Sequence, residues 1–319
     1  MTDVPTMDEV LKDAPKNWGK WGEDDEVGAL NYLTTDEVFR GVRHIRSGTA
    51  FTLQRLIGDA KGDPVWPGRT PAEKTMILDE SSWDGDGDGA PQFPGGMHYA
   101  DDKISAFLQG STQYDALGHV WYGGQLWNGY DARTTVGGLD KASVAPIAER
   151  GIVGRGILLD IARFRGQENL GKAETFTHED LLACAEAQGV TIEKRDILVI
   201  RTNFLKLFFD QRETFYEGFC EPGLVYSPEL VRWFQDMEIP NLVTDTIANE
   251  VTTDPNNGIA LPLHCALMRN LGVALTESCD LEKLAAHSAQ DRQYTFLYTA
   301  APLKVNQASG SPVNPLVIK

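Results

Sequence analysis

The sequence has few cysteines, few basic residues and no long apolar run. Its four cysteines are widely spaced and form no C-x-x-C pair, which disfavours a disulfide framework. Lysine and arginine number 29 against 46 acidic residues, giving a formal net charge of −17. This charge would repel nucleic acid or an anionic membrane at long range. No apolar stretch has the roughly 18 residues that a membrane span needs. We therefore predict a cytoplasmic protein that binds neither nucleic acid nor a membrane.

Several common functional motifs are also missing. No G-x-S-x-G elbow is present, so a serine hydrolase would lack its nucleophile. The glycines of GIVGRG at 151–156 precede a strand pattern, whereas a dinucleotide fingerprint lies between a strand and a helix. The acidic run DGDGDG at 84–89 would need a glutamate at the twelfth position of a calcium loop, which is Gly95. We interpret it as a flexible acidic surface loop.

Helix and strand signals occur along the whole chain, which predicts an α/β fold. Apolar runs without alternation, such as GILLDIA and DILVIRT, are typical of strands covered on both faces. Further strands are predicted in AFTLQRL, KTMILD, NLVTD, YTFLYTAAPL and NPLVIK, and helices in TTDEVFRGVRHIRSG, THEDLLACAEAQG, SPELVRWFQDM and DLEKLAAHSA. The strands predicted in the first 120 residues do not alternate regularly with helices, which favours a mixed sheet flanked by helices. Since no linker divides residues 1–319, we predict a single domain.

The segment LQGSTQYDALGHVW, residues 108–121, concentrates polar side chains at Gln109, Gln113, Asp115 and His119. On a straight strand, Gln109 and Asp115 would lie about 20 Å apart, too far to share a metal ion. A bend at residues 110–112 would let the side chains converge. From this segment alone, a polar buried loop and a functional site remain equally good interpretations.

A second pair of candidate ligands lies far downstream. His264 follows Pro262 at a predicted helix start, and Glu277 follows the short apolar strand after that helix. A histidine and a carboxylate that flank a helix-strand turn could complete a metal site.

At these residues the sequence resembles a known family. QGSTQYDALGH is similar to the H-x-G-T-H-x-D-x-P-x-H motif of the Putative cyclase family, which includes bacterial kynurenine formamidase and isatin hydrolase. Further landmarks occur in the same order, namely WGEDDEVGALNYLT, WNGYDA, PLHCALMRNLGVALTESCDLEKLA and APLKVNQASGSPVNPLVIK. The resemblance implies a swivelling β/β/α-type domain with an N-terminal arm at 1–33. It also implies a homo-oligomer, dimer or tetramer, in which Trp18 and Trp21 reach a neighbouring subunit's site.

The resemblance also implies roles for single residues. Gln109, Gln113 and Asp115 fall on the motif's metal-binding positions, and His119 falls on its acid-base histidine. His264 and Glu277 fall on the second pair of metal ligands.

The sequence departs from the motif at its metal ligands. Glutamine replaces both metal-binding histidines, Ser111 replaces the glycine and Leu117 replaces the proline. A glutamine offers a neutral, hard oxygen, so zinc affinity should fall. Asp115, His264 and Glu277 could still form an open site for one Mn²⁺, Zn²⁺ or Mg²⁺ ion, with oxygen ligation from Gln109 or Gln113.

The resulting hypothesis is a metal-dependent hydrolase of a small cyclic or aromatic amide, ester or lactone. Its catalytic residues would be Asp115, as a metal ligand, and His119, which would move the proton of a metal-activated water. The expected substrate-binding residues are Trp121, Tyr122, Trp127, Asp245 and Glu250.

Three alternatives remain open. A metal-free cyclase, isomerase or dehydratase could use His119 and the glutamine amides. A non-catalytic protein could bind a small molecule on the same fold. A two-metal hydrolase is least favoured by the double glutamine.

Overall fold

The computed structural model describes residues 4–84 and 90–319. The start of the predicted N-terminal arm, residues 1–3, lies outside the described residues, as do residues 85–89 of the acidic run. Among the described residues, no helix is both long and apolar enough to cross a membrane.

The strands are short, apart from one of nine residues in the centre of the main sheet. They are β1 Ala50–Thr52, β2 Glu73–Leu78, β3 Asp101–Ser105, β4 Gln113–Asp115, β5 Ile152–Asp160, β6 Thr175–Phe176, β7 Ile197–Arg201, β8 Gly223–Leu224, β9 Asn241–Thr244, β10 Ala274–Glu277, β11 Thr295–Ala300, β12 Gly310–Pro312 and β13 Leu316–Ile318.

The helices lie between these strands. They are α1 Met7–Val10, α2 Thr35–Val42, α3 Val144–Arg150, α4 Ile161–Phe164, α5 His178–Gln188, α6 Lys206–Asp210, α7 Pro228–Asp236 and α8 Glu282–Asp291. Short 3₁₀ turns span Gly28–Tyr32, Glu80–Trp83, Trp127–Gly129 and Ala132–Thr135, and a π-helical segment spans His264–Leu271.

Within the described residues, nine strands form one sheet in the order β1-β13-β11-β5-β7-β9-β10-β4-β12. The central strands β5, β7, β9 and β10 are parallel, and the flanking pairs are antiparallel. Helices pack against the sheet, as α2 does against β5 and β11. The predicted α/β fold with a mixed sheet is therefore confirmed.

The helix signals differ in how well they predict local geometry. Thr177 caps α5 through a capping box with Asp180, and Ser227 caps α7 ahead of Pro228, as the sequence predicts. The capping box predicted at Thr34 is wrong, because the Thr34 side chain caps no backbone N–H. The carboxylate of Glu37 pairs instead with arginines, and α2 ends at Val42, before the predicted end near Gly48.

The core explains why polar side chains gather at one edge of the sheet. Every residue of β7, and nearly every residue of β5, is buried, as expected for strands covered on both faces. The parallel strands end in polar segments, with Thr202 after β7, Asp245 after β9 and Glu277 at the end of β10. This is the edge at which α/β sheets commonly bind ligands.

Candidate functional site

Strands β4 and β10 bring the two halves of the candidate site together. Gln113 lies directly opposite Glu277 in the antiparallel ladder, and its Nε2 donates a 2.7 Å hydrogen bond to Glu277 Oε2. Asp115 is two residues further along β4 and therefore projects from the same face. The chain does turn through residues 108–112 before β4, close to the predicted bend.

His264 is oriented by Glu250. The backbone N–H groups of Leu263 and His264 donate to the Glu250 carboxylate at 2.7 and 2.6 Å, which satisfies two free donors at the start of the helical segment. The same carboxylate lies 2.7 Å from His264 Nδ1. This contact directs the other ring nitrogen, Nε2, to Glu277 Oε1 at 3.1 Å. In metal sites, a carboxylate commonly orients a ligand histidine in this way, by binding the ring nitrogen that does not face the metal.

Asp115, His264 and Glu277 are buried and have potential ligand atoms within 4.8 Å of one another. Within the described part of the chain, neither carboxylate oxygen of Asp115 has a hydrogen-bond partner, and neither does Gln113 Oε1. Buried polar atoms are rarely left unpaired. Two carboxylates, an imidazole and an amide oxygen form a donor set that suits a divalent ion, so the residues present fit a metal.

The titratable groups of this cluster shift one another's pKa. Burial and the neighbouring Asp115 carboxylate raise the pKa of Glu277 to about 7, although His264 opposes the shift. Burial alone would lower the pKa of His264, but the hydrogen-bonded carboxylates of Glu250 and Glu277 raise it well above its ordinary value. A positive charge at the centre of the cluster is therefore favoured, and a divalent ion would provide one.

His119 lies in a pocket of about 320 Å³ next to the triad. Burial lowers the pKa of its imidazole, while the Asp115 carboxylate acts in the opposite direction. The pocket also contains His264, and its remaining lining residues are Met7, Val120, Trp121, Ala260, Leu261 and Cys265. His119 thus lines the same pocket as a triad member and has mostly apolar neighbours.

Gln109 takes a different direction from Gln113. Its side-chain amide donates to Ser309 Oγ at 2.9 Å, and its backbone carbonyl accepts a 2.8 Å hydrogen bond from Arg69. The structure therefore brings Gln113, Asp115, His264 and Glu277 together, with Gln109 turned toward β12 instead.

The predicted substrate-binding residues do not all reach the pocket. Trp121 lines it and is 46% exposed. Tyr122 is half-buried, and its hydroxyl bonds to Asn270. Trp127 is fully buried, and its indole N–H donates to the Asp25 carbonyl. Asp245 is buried and accepts hydrogen bonds from Thr202 and Asn203. Glu250 contacts His264, as described above.

The described part of the N-terminal arm packs on its own chain. The Trp18 indole N–H donates to the Arg269 carbonyl, and Trp21 packs against Tyr32 and Trp127. Met7 of α1 reaches the His119 pocket. Both tryptophans thus have contacts within their own chain, while their reach to a neighbouring subunit's site and assembly into a dimer or tetramer stay predictions.

Several residues around the site have no signal in the sequence. Met7 and Leu261 line the pocket, although neither belongs to a motif. Glu221 is fully buried, accepts the N–H groups of Ile247 and Ala248 at 2.8 Å each, and has its pKa raised to about 8 by burial. Such residues are found only when the chain is folded, because their neighbours are distant in sequence.

A larger concavity than this pocket lies elsewhere among the described residues. It measures about 870 Å³, and apolar side chains such as Ile57, Phe107, Leu303 and Val313 line it. None of its lining residues is titratable, so it offers no acid-base or metal chemistry. The smaller pocket beside the triad is the better candidate site.

Solved structures with the same fold include enzymes. A crystal structure described as a novel cyclase is 37% identical, with a TM-score of 0.86, and the match covers 96% of this chain and 100% of that one. An isatin hydrolase A from Labrenzia aggregata, bound to benzyl benzoate, is 20% identical with a TM-score of 0.59, over 91% and 98% of the two chains. An isatin hydrolase bound to the product analogue thioisatinate is 18% identical with a TM-score of 0.58, over 84% and 91%.

Family membership follows from sequence as well as from fold. Among curated proteins, none matches this chain significantly. The family model described as Putative cyclase matches residues 48–251, a range that contains β4 and its motif residues. Together with the 37% identity over nearly the whole chain, this match shows that the protein belongs to the Putative cyclase family.

Proposed function

We propose that this protein is a metal-dependent hydrolase of a small cyclic or aromatic amide, ester or lactone. The observation that carries the proposal is the buried Asp115 carboxylate, which has no hydrogen-bond partner among the described residues and lies beside His264 and Glu277. Such a carboxylate is costly to bury unless a cation binds there. The aromatic ligands of the isatin hydrolase structures support the substrate class.

The metal would be held by Asp115, His264 Nε2 and Glu277. Gln113 Oε1 is a fourth candidate ligand, since it is buried without a partner among the described residues. Its neutral amide oxygen favours a hard ion such as Mn²⁺ or Mg²⁺ more than the histidine nitrogen of the family motif would. When bound, the ion would polarise a substrate carbonyl and lower the pKa of a water molecule.

His119 is the residue placed to move a proton. Because burial lowers its pKa, its imidazole is mostly neutral at neutral pH, and a neutral ring nitrogen can accept a proton from the attacking water. The protonated ring can then return that proton to the leaving group. Its position beside His264 in the pocket would put both steps next to the bound ion.

The other pocket residues would bind the substrate and exclude water. Trp121, Met7 and Leu261 provide apolar surface beside His119, which suits an aromatic or alicyclic ring. Closing this surface over a substrate would strengthen the electrostatic interactions of the triad.

The metal-free alternative is weakened by the hydrogen bonds of the two glutamines. Gln113 Nε2 donates to Glu277 and Gln109 Nε2 donates to Ser309, so each side-chain NH2 group commits one of its two N–H donors to a protein partner. A substrate oxyanion would have to use the remaining N–H of each or compete with those partners. The alternative of a non-catalytic binding protein is left to experiment.

A panel of aryl amides, cyclic imides and lactones tests the proposal. We expect hydrolysis of at least one compound, its loss with a chelator and its return with Mn²⁺. His119→Asn should abolish turnover without lowering metal content, because its ring is not among the proposed ligands. Full activity in the chelated protein would refute the metal-dependent mechanism, and the absence of turnover on the whole panel with metal bound would favour a binding protein.

A further inference from the structure

The N-terminal arm contributes one side chain to the candidate pocket. Met7, on α1, lines the pocket of about 320 Å³ together with His119, Leu261 and His264. It is partly buried and packs against the core of its own chain. The family model matches residues 48–251, so Met7 lies outside the matched stretch. Met7 is therefore a part of the pocket to which the family resemblance gives no role.

Hydrogen bonds and apolar burial dock the arm on its own chain. Thr6 begins α1 through a capping box, and the Val10 carbonyl accepts a hydrogen bond from the Tyr226 hydroxyl at 3.2 Å. Leu11, directly after α1, is only 1% exposed. None of these hydrogen bonds uses the Met7 side chain. A substitution of that side chain should therefore leave the arm docked.

The arm and the triad share a support. Further along the arm, the Asn17 backbone N–H donates to the Asn270 carbonyl at 2.9 Å. The Asn17 side-chain amide donates to the Leu271 carbonyl at 3.0 Å. Both acceptors belong to the π-helical segment that begins at His264. The segment that supplies a triad residue therefore also anchors the arm that supplies Met7.

Leu261 forms another wall of the pocket, and its backbone is held in an uncommon conformation. Its φ of +53° lies in the left-handed region, which a residue with a bulky side chain rarely adopts. The Leu261 N–H donates to the Thr252 carbonyl at 3.2 Å, and Thr253 and Ala260 form an antiparallel bridge. Such conformations persist only where the surrounding structure enforces them. Leu261 therefore cannot move aside for a larger ligand without disturbing these contacts.

We infer that Met7 determines substrate specificity by limiting the size of the ring that the pocket accepts. Leu261 is held by its hairpin and His264 by Glu250, whereas the unbranched Met7 side chain fills space that a larger ring would need. A volume of about 320 Å³ is also at the small end of the range for small-molecule sites, about 300–1,000 Å³. The inference rests on the proposed function for the location of the substrate, and it adds that Met7 favours one-ring over two-ring substrates.

Two metal-binding ligands test this inference. Benzohydroxamate and 2-naphthohydroxamate present the same chelating group and differ by one fused ring. Calorimetric titration of the Mn²⁺-loaded protein should show tighter binding of benzohydroxamate. Met7→Ala should shift the ratio of the two affinities toward 2-naphthohydroxamate by at least about tenfold, because the fit of one methylene group in an apolar pocket is worth about 10–200-fold. Met7→Leu nearly keeps the side-chain volume and should leave the ratio close to that of the wild type.

The controls remove apolar side chains that do not line the pocket. Val4 is exposed on the same arm, and Met76 is exposed on β2, so Val4→Ala and Met76→Ala should keep the wild-type ratio. An unchanged ratio in Met7→Ala, or tighter binding of 2-naphthohydroxamate by the wild type, would overturn the inference. A thermal melt of each variant excludes misfolding, and Met7→Val supplies the test if Met7→Ala does not fold.

A thiol probe separates this inference from the proposed function, because it needs no metal. Cys265 lines the same pocket as Met7. Its thiolate reacts with methyl or benzyl methanethiosulfonate to form a mixed disulfide, and methanesulfinate is released. Peptide mass spectrometry of the metal-free protein measures both rates at Cys265, and their ratio cancels the low reactivity of a buried thiol.

The two probes together give distinguishable outcomes. Met7→Ala should raise the rate of the benzyl reagent relative to that of the methyl reagent, and Val4→Ala should not. An unchanged ratio of rates in Met7→Ala would overturn the role of Met7. A changed ratio of rates in a protein that binds neither hydroxamate would support the role of Met7 and count against the proposed metal-dependent function.

Discussion

Replacing Asp115 with asparagine should stabilise the metal-free protein and remove its stabilisation by Mn²⁺. In the absence of metal, the Asp115 carboxylate is buried without a hydrogen-bond partner among the described residues, and it raises the pKa of Glu277 by repulsion. Asparagine has nearly the same shape and no charge. The substitution therefore relieves the repulsion and removes a proposed ligand at the same time.

The sizes of the two effects can be estimated from general values. An unsatisfied buried polar group costs about 1–3 kcal/mol, and we expect asparagine to recover this cost because its NH2 group can donate to the neighbouring Glu277 carboxylate. An unfolding entropy of about 2.1 cal/mol/K per residue, over the 319 residues of the chain, gives about 0.7 kcal/mol/K, so the metal-free Tm should rise by about 1.5–4 °C. Mn²⁺ at about a hundred times its Kd adds about 2.7 kcal/mol to the wild type, which corresponds to about 4 °C.

Differential scanning fluorimetry with chelator and with Mn²⁺ measures both shifts. The expected result is a higher Tm for Asp115→Asn in chelator and no change on adding Mn²⁺. Asp101→Asn is a matched control, because Asp101 is exposed on β3, and it should keep the full Mn²⁺ shift. A lower Tm of metal-free Asp115→Asn, or an undiminished Mn²⁺ shift, would refute the reasoning.

Three further predictions concern the neighbouring residues. Because burial lowers the pKa of His119, the neutral ring persists to lower pH, and the acid limb of kcat/KM at saturating Mn²⁺ should lie below about 6.5; a limb above that value contradicts the assignment. Glu250→Gln should weaken Mn²⁺ binding about 10–100-fold, since Glu250 orients the His264 ring, and equilibrium dialysis that shows unchanged affinity would contradict this role. Gln113→His should shift metal preference from Mn²⁺ toward Zn²⁺, and competition binding that shows no shift would mean that Gln113 is not a ligand.

The general architecture was accessible from local sequence patterns. The runs GILLDIA and DILVIRT are apolar enough to predict strands covered on both faces, and they correspond to the buried, parallel strands β5 and β7. Capping residues predict the starts of α5 and α7. At Thr34 the same reasoning fails, because Glu37 pairs with Arg40 on the same helix and with Arg195, which is far away in the chain. Ion pairs replace the predicted cap.

The candidate site depended more on long-range contacts. Asp115, His264 and Glu277 were predicted from the motif resemblance, and the structure brings them together although Gln113 and Glu277 are 164 residues apart. The different directions of the two glutamines could not be predicted, since they depend on Ser309 and Glu277 as partners. The same holds for Met7, which reaches the His119 pocket through folding alone.

Metal analysis of the protein purified without chelator tests the central claim most directly. Inductively coupled plasma mass spectrometry should find about one divalent ion per chain, and Asp115→Asn and His264→Asn should each lose it, while the control Asp101→Asn should keep it. The wild-type protein should also regain one equivalent of Mn²⁺ after chelation and dialysis. A wild-type protein that neither contains nor takes up a divalent ion, or one that keeps its ion in both site variants, would contradict the account.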